Sequence, residues 1–363
     1  MALAYGGKHY TPPPLPCALA RDLSILPLWY GNKGATVLVS GTLDDTWQKE
    51  LRCLLGVDAD WINVKKSPND TNCFCSVAEC SPWGWSASVK NQLLLMGVSP
   101  ECFPNDFQID FFRRLSHRSV SIHILNRLNE FCDFSSIIVP QEFRDMSEIK
   151  AFVEKYPAVV LKSPWSSSGR GIYWGKGVFD RQIENWCRGV LSRQRSIIAE
   201  YCYPKILDFA MEFYREGNSV SFAGYSCFYA DDKGAYQGNW LAPDSTIEQY
   251  LATYVGTEML YSLKTDMDKV LGELLNDSGY QGYMGVDMMV FRDEGKNGFS
   301  IHPCVELNLR MSMGMVSRIL FDRYVSPGST GYYYVDFQAN EGELLKLHEE
   351  SISASPIQLN NGK

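Results

Sequence analysis

From position 159 to 172 the chain reads Val-Val-Leu-Lys-Ser-Pro-Trp-Ser-Ser-Ser-Gly-Arg-Gly-Ile, and few local structures accommodate that order. An apolar run short enough for a buried strand ends on a charge, Lys162. A loop of small residues, Trp165 to Gly171, follows, and then a second apolar run begins. Gly169 and Gly171 let the backbone turn tightly and approach a neighbour closely. Ser166, Ser167 and Ser168 offer hydroxyls beside backbone N–H groups, and Lys162 adds a point charge. Together these make a phosphate cradle; read alone, the same segment is also compatible with an ordinary hairpin turn. It is neither a GxxxxGK[ST] loop nor a GxGxxG fingerprint.

A second pattern lies in Gly285-Val-Asp-Met-Met-Val-Phe291 and Cys304-Val-Glu-Leu-Asn-Leu-Arg310. Asp287 interrupts an apolar strand, which costs several kcal/mol unless the carboxylate is paired or metal-bound. Glu306 and Asn308 are two apart, so a strand places them on one face, which Arg310 shares. Hard oxygen side chains at the ends of neighbouring strands suit Mg²⁺, which keeps waters and phosphate oxygens as its other ligands. A solvent-facing hairpin edge is the alternative. Between the two patterns, Ile197-Ile-Ala-Glu-Tyr-Cys202 reads as a strand carrying the acid Glu200, with Asp208 after a short turn. Such a hinge offers backbone groups to an adenine edge, and a following carboxylate can take both ribose hydroxyls. Acids after strands also occur without any ligand.

The rest of the chain predicts mixed helix and sheet. Thr11 to Pro16 bars regular structure at the start. Strand 35–40, helix 44–55 and strand 60–64 predict an α/β N-terminal unit. Residues 67–82 read as a loop, whose Cys73, Cys75 and Cys80 are free thiols or zinc ligands, with no CxxC pair or nearby His beside them. Residues 85–96 predict a helix closed by Gly97. Residues 107–128 predict mostly helix, carrying Arg113, Arg114, His117 and Arg118. Further on come strand 136–140, helix 147–155 capped by Ser147, helix 179–193 and strand 196–201. Antiparallel strands at 209–214 and 219–229, helix 257–278, a hairpin of 285–292 with 300–309, and helix 313–323 complete the pattern. The residues from Ser351 are polar.

With 363 residues the chain can form two or three domains with real cores. Its net charge of −8 and lack of a Lys/Arg-rich run argue against nucleic acid as a partner. An acidic protein can still hold ATP, because Mg²⁺ neutralises charge locally. No stretch of about 20 apolar residues offers itself to a bilayer, and no leader pattern opens the sequence. With 11 Cys, an odd number, reduced thiols in a cytoplasmic setting are expected.

Taken in order, these signals make residues 116 to 323 resemble the ATP-grasp superfamily, which includes D-alanine:D-alanine ligase, glutathione synthetase, biotin carboxylase and carbamoyl-phosphate synthetase. The resemblance implies an α/β (α+β) chain with the ATP-grasp fold, two α+β subdomains gripping ATP. Residues 1–115 would form a preceding α/β domain and 116–325 the ATP-grasp domain, with 136–202 its small lid and 203–325 its metal-binding part. Residues 326–363 would be a partly flexible C-terminal segment. It implies ATP and two Mg²⁺ ions, with Mn²⁺ able to stand in. Lys162 and Arg310 take catalytic roles, Ser166 to Gly171 become the mobile loop, and Glu200 becomes the adenine-side acid, with Tyr201 to Tyr203 lending backbone. Asp208 becomes the ribose acid, and Asp287, Glu306 and Asn308 the metal ligands. Arg118 falls where the family places an α-phosphate cation; a solvated helix charge is its other reading. Two departures stand out. Ser163 separates Lys162 from Pro164, and Gly285 stands where several ligases carry an Arg, which leaves Arg310 or Arg215 to supply that charge or signals a different acceptor.

The chemistry so implied is transfer of a phosphoryl group from ATP to a small carboxylate, followed by attack of an amine. A small-molecule kinase and a nucleotide-binding regulator without turnover use the same scaffold; the intact Asp287, Glu306 and Asn308 set argues against the regulator. Partners are then small molecules, with neither nucleic acid nor membrane, and a homodimer is left open. His302 is either structural or borders the site. Phe222 to Trp240 and Pro82-Trp-Gly-Trp85 are either pocket walls or core.

Overall fold

The computed structural model describes residues 14–40, 59–63, 79–166, 170–231, 234–336 and 340–354, with isolated positions besides. In the N-terminal part, helices α1 (Pro14–Asp22) and α2 (Pro27–Tyr30) precede β1 (Thr36–Val39), which pairs in parallel with β2 (Asp60–Asn63). Parallel neighbours need a crossover. The expected helix 44–55 and loop 67–82 lie largely outside the described residues, as do Cys73 and Cys75. Leu28, Val37, Val39, Val57 and Ala59 form a small core of their own.

Helix α3 (Ala87–Leu95) starts on Ser86, whose hydroxyl accepts from the Val89 N–H, and Gly97 follows its end at φ 86°. The stretch expected as mostly helix over 107–128 is two helices. A capping box of Asn105 and Gln108 opens α4 (Asp106–Leu115), and α5 (Val120–Leu128) follows a break at 116–119. At that break the Ser116 hydroxyl returns to the Phe112 carbonyl, and the Arg118 N–H donates to Pro164 O at 3.0 Å.

The middle of the chain forms a four-stranded antiparallel sheet in the order β3 (Gln141–Phe143), β6 (Ile197–Tyr201), β4 (Val159–Lys162), β5 (Ile172–Gly175). The first strand lies beyond the expected 136–140, because Pro140 has no N–H to give a ladder. Helices α6 (Met146–Lys155) and α7 (Arg181–Gln194) cover one face. Asp145, not Ser147, caps α6, accepting from the Ser147 N–H at 2.8 Å. Ile149, Phe152, Val153, Ile183, Cys187 and Val190 meet Val159, Leu161, Ile197 and Ala199. Because strand side chains alternate, Lys162 and Glu200 are left on the opposite face.

The larger sheet is antiparallel throughout, in the order β11 (Gly298–Asn308), β10 (Gly282–Asp293), β7 (Lys205–Glu216), β8 (Ser219–Ala230), β9 (Tyr236–Leu241), β12 (Gly331–Tyr334). Helices α8 (Asp244–Val255), α9 (Thr257–Leu274), α10 (Met313–Tyr324) and α11 (Glu341–Ala354) complete the described chain. Asp208, expected after a turn, lies within β7 opposite Met289 and Phe228. One face of this sheet is apolar. Phe209, Met211, Phe213, Tyr225, Val286, Met288 and Leu307 pack there on α5, α8 and α9, where Leu260, Leu263, Met267, Val270 and Leu271 keep helical spacing. Ile109, Phe112 and Leu115 of α4 join the same core. The other face carries Asp208 and Glu212 from β7, Ser226 from β8, Asp287 from β10, and Glu306 and Asn308 from β11.

Phe213 is fully buried in that core. Phe213→Ala is expected to lower the unfolding free energy by about 3–5 kcal/mol, read as a lower urea midpoint.

Candidate functional site

Lys162 and Glu200 are diagonal neighbours across β4 and β6, and Lys162 Nζ meets Glu200 Oε2 at 2.6 Å with both side chains buried. Just past Lys162 the chain folds back on itself. The Ser163 N–H donates to Gly171 O at 2.7 Å, and Gly171 has φ +64°, where a Cβ would come within 2.9 Å of Ser163 Oγ and Ser166 Cβ. Only glycine closes the loop this tightly. Trp165 anchors its start. The indole N–H donates to Arg113 O, the His117 ring meets it edge-on at 4.4 Å, and the Arg113 guanidinium lies 4.4 Å over it. Gln194 bonds both the N–H and the carbonyl of Trp165. Ser167, Ser168 and Gly169 lie outside the described residues.

Arg118, at the break between α4 and α5, is 4% exposed, so it is no solvated helix charge. Its Nε and Nη2 both donate to Glu306 Oε2 at 3.1 Å, while Nη1 donates to Ser163 O and Ser166 Oγ. The guanidinium therefore joins the loop beside β4 to the polar face of the larger sheet.

On that face Asp287 and Glu306 stand directly opposite each other in the β10–β11 ladder. Like charges so placed repel. Burial first, and the Glu306 charge next, push the Asp287 carboxyl up to about 7. Asn308 Nδ2 donates to Asp287 Oδ2 at 2.9 Å, and Arg310 Nη2 to Asn308 Oδ1 at 2.9 Å. Glu306 Oε1 is buried without a hydrogen-bond partner. Two opposed carboxylates, one with an unsatisfied oxygen, beside an amide oxygen are a fitting donor set for Mg²⁺. Among the described residues no group of three or more His, Cys, Asp or Glu gathers for a metal.

Beyond the end of β6, Tyr203 packs on Phe291 at 4.4 Å and on Tyr201 at 4.8 Å, and its hydroxyl accepts from the Ile138 N–H. Asp208 Oδ2 meets Lys205 Nζ at 2.5 Å. His302 is buried 5.6 Å from the Tyr203 ring, with Nδ1 unpartnered. Burial, and then the Lys162 charge, hold its imidazole down at about 3.

Two placements were not legible in the sequence. Arg215 lies on the core face of β7, away from the acids, and its Nε donates to Gly217 O. Of the two arginines weighed against Gly285, only Arg310 therefore stands at the acids. Glu212 occupies the space over Gly285, where a Cβ would lie 2.6 Å from its Oε2. The sequence offers only a partial signal, that Asp208 and Glu212 are four apart on a strand and so share a face. From the N-terminal part, Trp83 O accepts from the Met311 N–H, and a Cβ on Gly84 would sit 3.0 Å from Arg310 Cβ. Trp83 and Gly84 thus lie beside Arg310, whereas Trp85 packs against the apolar core.

No protein-family model matches the sequence, and comparison with curated proteins finds no match. Solved structures do match. N5-carboxyaminoimidazole synthetase from Staphylococcus aureus, complexed with ADP, aligns at TM-score 0.50 and 12% identity over 96% of this chain and 84% of that one. Rhizobium etli pyruvate carboxylase, solved with acetyl coenzyme-A, aligns at TM-score 0.50 and 12% identity over 83% of this chain and 26% of that one. This chain has the ATP-grasp fold.

His302 gives the cleft a pH signature. The unfolded imidazole takes up a proton near pH 6.5, whereas the folded one stays neutral down to about pH 3. Its contribution is therefore intact above pH 6.5 and is lost as pH falls. Between pH 7 and pH 5 the native chain should lose about 2 kcal/mol more stability than His302→Gln, measured by denaturant unfolding at both pH values.

Proposed function

We propose that this chain is an ATP- and Mg²⁺-dependent ligase, which activates a small carboxylate as an acyl phosphate for attack by an amine. The observation that carries the reading is the convergence of two sheets on one cleft. The smaller sheet and its loop bring Lys162 and Ser166, the larger brings Asp287, Glu306, Asn308 and Arg310, and Arg118 spans the two. We assign residues 116–325 to the nucleotide-binding domain, with 136–202 as its lid, and 1–115 to the domain preceding it. The S. aureus protein that shares this fold was solved with ADP, which supports a nucleotide in the corresponding cleft.

In this reading the backbone at Tyr201 to Tyr203 faces the adenine edge, beside Glu200, and Asp208 takes the ribose hydroxyls. Lys162 and Arg118 meet the phosphates. The loop from Ser166 to Gly171 closes over them and keeps water from the acyl phosphate, whose hydrolysis is the competing reaction. Arg310 orients the carboxylate beside the transferring group and offsets its charge. Asp287, Glu306 and Asn308 would hold Mg²⁺, two ions by the resemblance, which when bound supplies charge neutralisation at the terminal phosphates. Among the described residues the cysteines are thiols rather than disulfides, which fits a cytoplasmic setting.

The test is a screen of amino-acid pairs and small carboxylates for phosphate release that requires ATP, Mg²⁺ and both co-substrates, with hydroxylamine to trap the acyl phosphate. ADP, phosphate and an amide are the expected products; a stable phosphoester would make the chain a kinase instead. Asp287→Ala and Glu306→Ala should each weaken Mg·ATP binding at least about tenfold, and unchanged binding by either variant would remove these residues from the site.

A further inference from the structure

We propose that Glu212 forms the acceptor end of the cleft and receives the ammonium group of the amine substrate. The proposal rests on the ligase reading above and adds the chemical class of one substrate to it.

Position is the first argument. Along β7, Asp208 is level with Met289, Ala210 with Asp287, and Glu212 with Gly285, which is itself level with Asn308. At about 3.3 Å per residue, Asp208 and Glu212 lie about 13 Å apart along the strand, with the Asp287–Glu306 pair between them. If the nucleoside lies at Asp208 and the phosphates at the acid pair, the next group met on the same face is Glu212. Arg310 and the Trp83–Gly84 backbone bound that end.

Space is the second. Two glycines lie against the carboxyl: a Cβ on Gly285 would come within 2.6 Å of Oε2, and one on Gly314 within 2.4 Å of Oε1. The β7–β8 ladder shifts register between Glu212 and Phe213, and such bulges re-aim a side chain.

Charge is the third. Glu212 is 1% exposed. Oε1 accepts from Ser312 Oγ at 2.8 Å, and Oε2 has no partner. Arg310 lies near enough to lower the cost of burying that charge, but its guanidinium donates to Asn308 Oδ1 and Met311 O. A buried carboxylate half-satisfied by one hydroxyl is costly unless a cation joins it. An ammonium group brings three donors and a full charge, and so answers both the unpaired oxygen and the unpaired charge. Burial raises the Glu212 carboxyl to about 8, so the acid keeps its proton until a cation takes that proton's place.

The experiment compares twins that differ only in that group, glycine with glycolate and β-alanine with 3-hydroxypropionate. Each is titrated by calorimetry into the full chain saturated with Mg·ADP. The native chain should bind an ammonium member and discriminate against its hydroxyl twin. Glu212→Gln, which preserves shape and the Ser312 contact, should weaken that binding at least about tenfold while keeping Mg·ADP affinity. Equal binding of twins by the native chain, or undiminished ammonium binding by Glu212→Gln, would overturn the proposal. So would a loss of Mg·ADP affinity in Glu212→Gln matching that of Asp287→Asn, since Glu212 would then belong with the metal acids. Failure of the native chain to bind Mg·ADP would remove the ligase reading first and this assignment with it. The twin comparison needs no variant, so it stands even if Glu212→Gln does not fold.

Discussion

Two carboxylates forced to face each other across a β-ladder organise this molecule. Asp287 and Glu306 have no freedom to part, because β10 and β11 are pinned to each other and, through Val286, Met288 and Leu307, to the apolar core on the far side. Their repulsion has to be offset locally, and the surrounding residues are arranged to do so. Asn308 donates to one acid and Arg118 to the other, and Arg310 steadies Asn308 in turn. Arg118 can reach Glu306 because the helix ends at Leu115 and restarts at Val120, which turns residue 118 inward. The unpaired oxygen that is left, Glu306 Oε1, marks where this protein's own groups fall short of neutralising the pair.

Both sheets are built by one rule. Each gives an apolar face to helices and is left with a polar face, and the two polar faces contribute to one cleft. That rule was legible in the sequence wherever an ionisable residue interrupted an apolar run. Lys162 after Val-Val-Leu and Asp287 after Gly-Val can be placed on strands, with the fold class, from the sequence alone. What the sequence could not supply was register. Glu212 lies in Phe-Ala-Met-Glu-Phe-Tyr, an unremarkable strand until Gly285 and Gly224 are known to be its partners. The basic cluster at 113–118 posed a similar problem. One of its members enters the cleft and another lies over Trp165, and the choice is made by where the helix breaks.

The misplacements have local causes. The strand expected at 136–140 lies after Pro140, because a proline cannot donate to a ladder. Asp208, expected after a short turn and ahead of a strand at 209–214, lies inside β7, because that strand already begins at Lys205. Gly285 reads in the sequence as a missing arginine. In the structure it is the absence of a side chain that admits the carboxyl of Glu212, so a departure from a known pattern became a different polar group in the same place.

The bonds of Arg118 have a mechanical meaning. Its backbone N–H holds Pro164 and its Nη1 holds Ser163 and Ser166, while Nε and Nη2 hold Glu306. Separation of the smaller sheet from the larger must break one of these sets while the other survives. The guanidinium thus works as a latch rather than a spring. Any opening between the sheets would have to release one set, and the side on which the cation stayed would decide whether the acids or the loop was left bare.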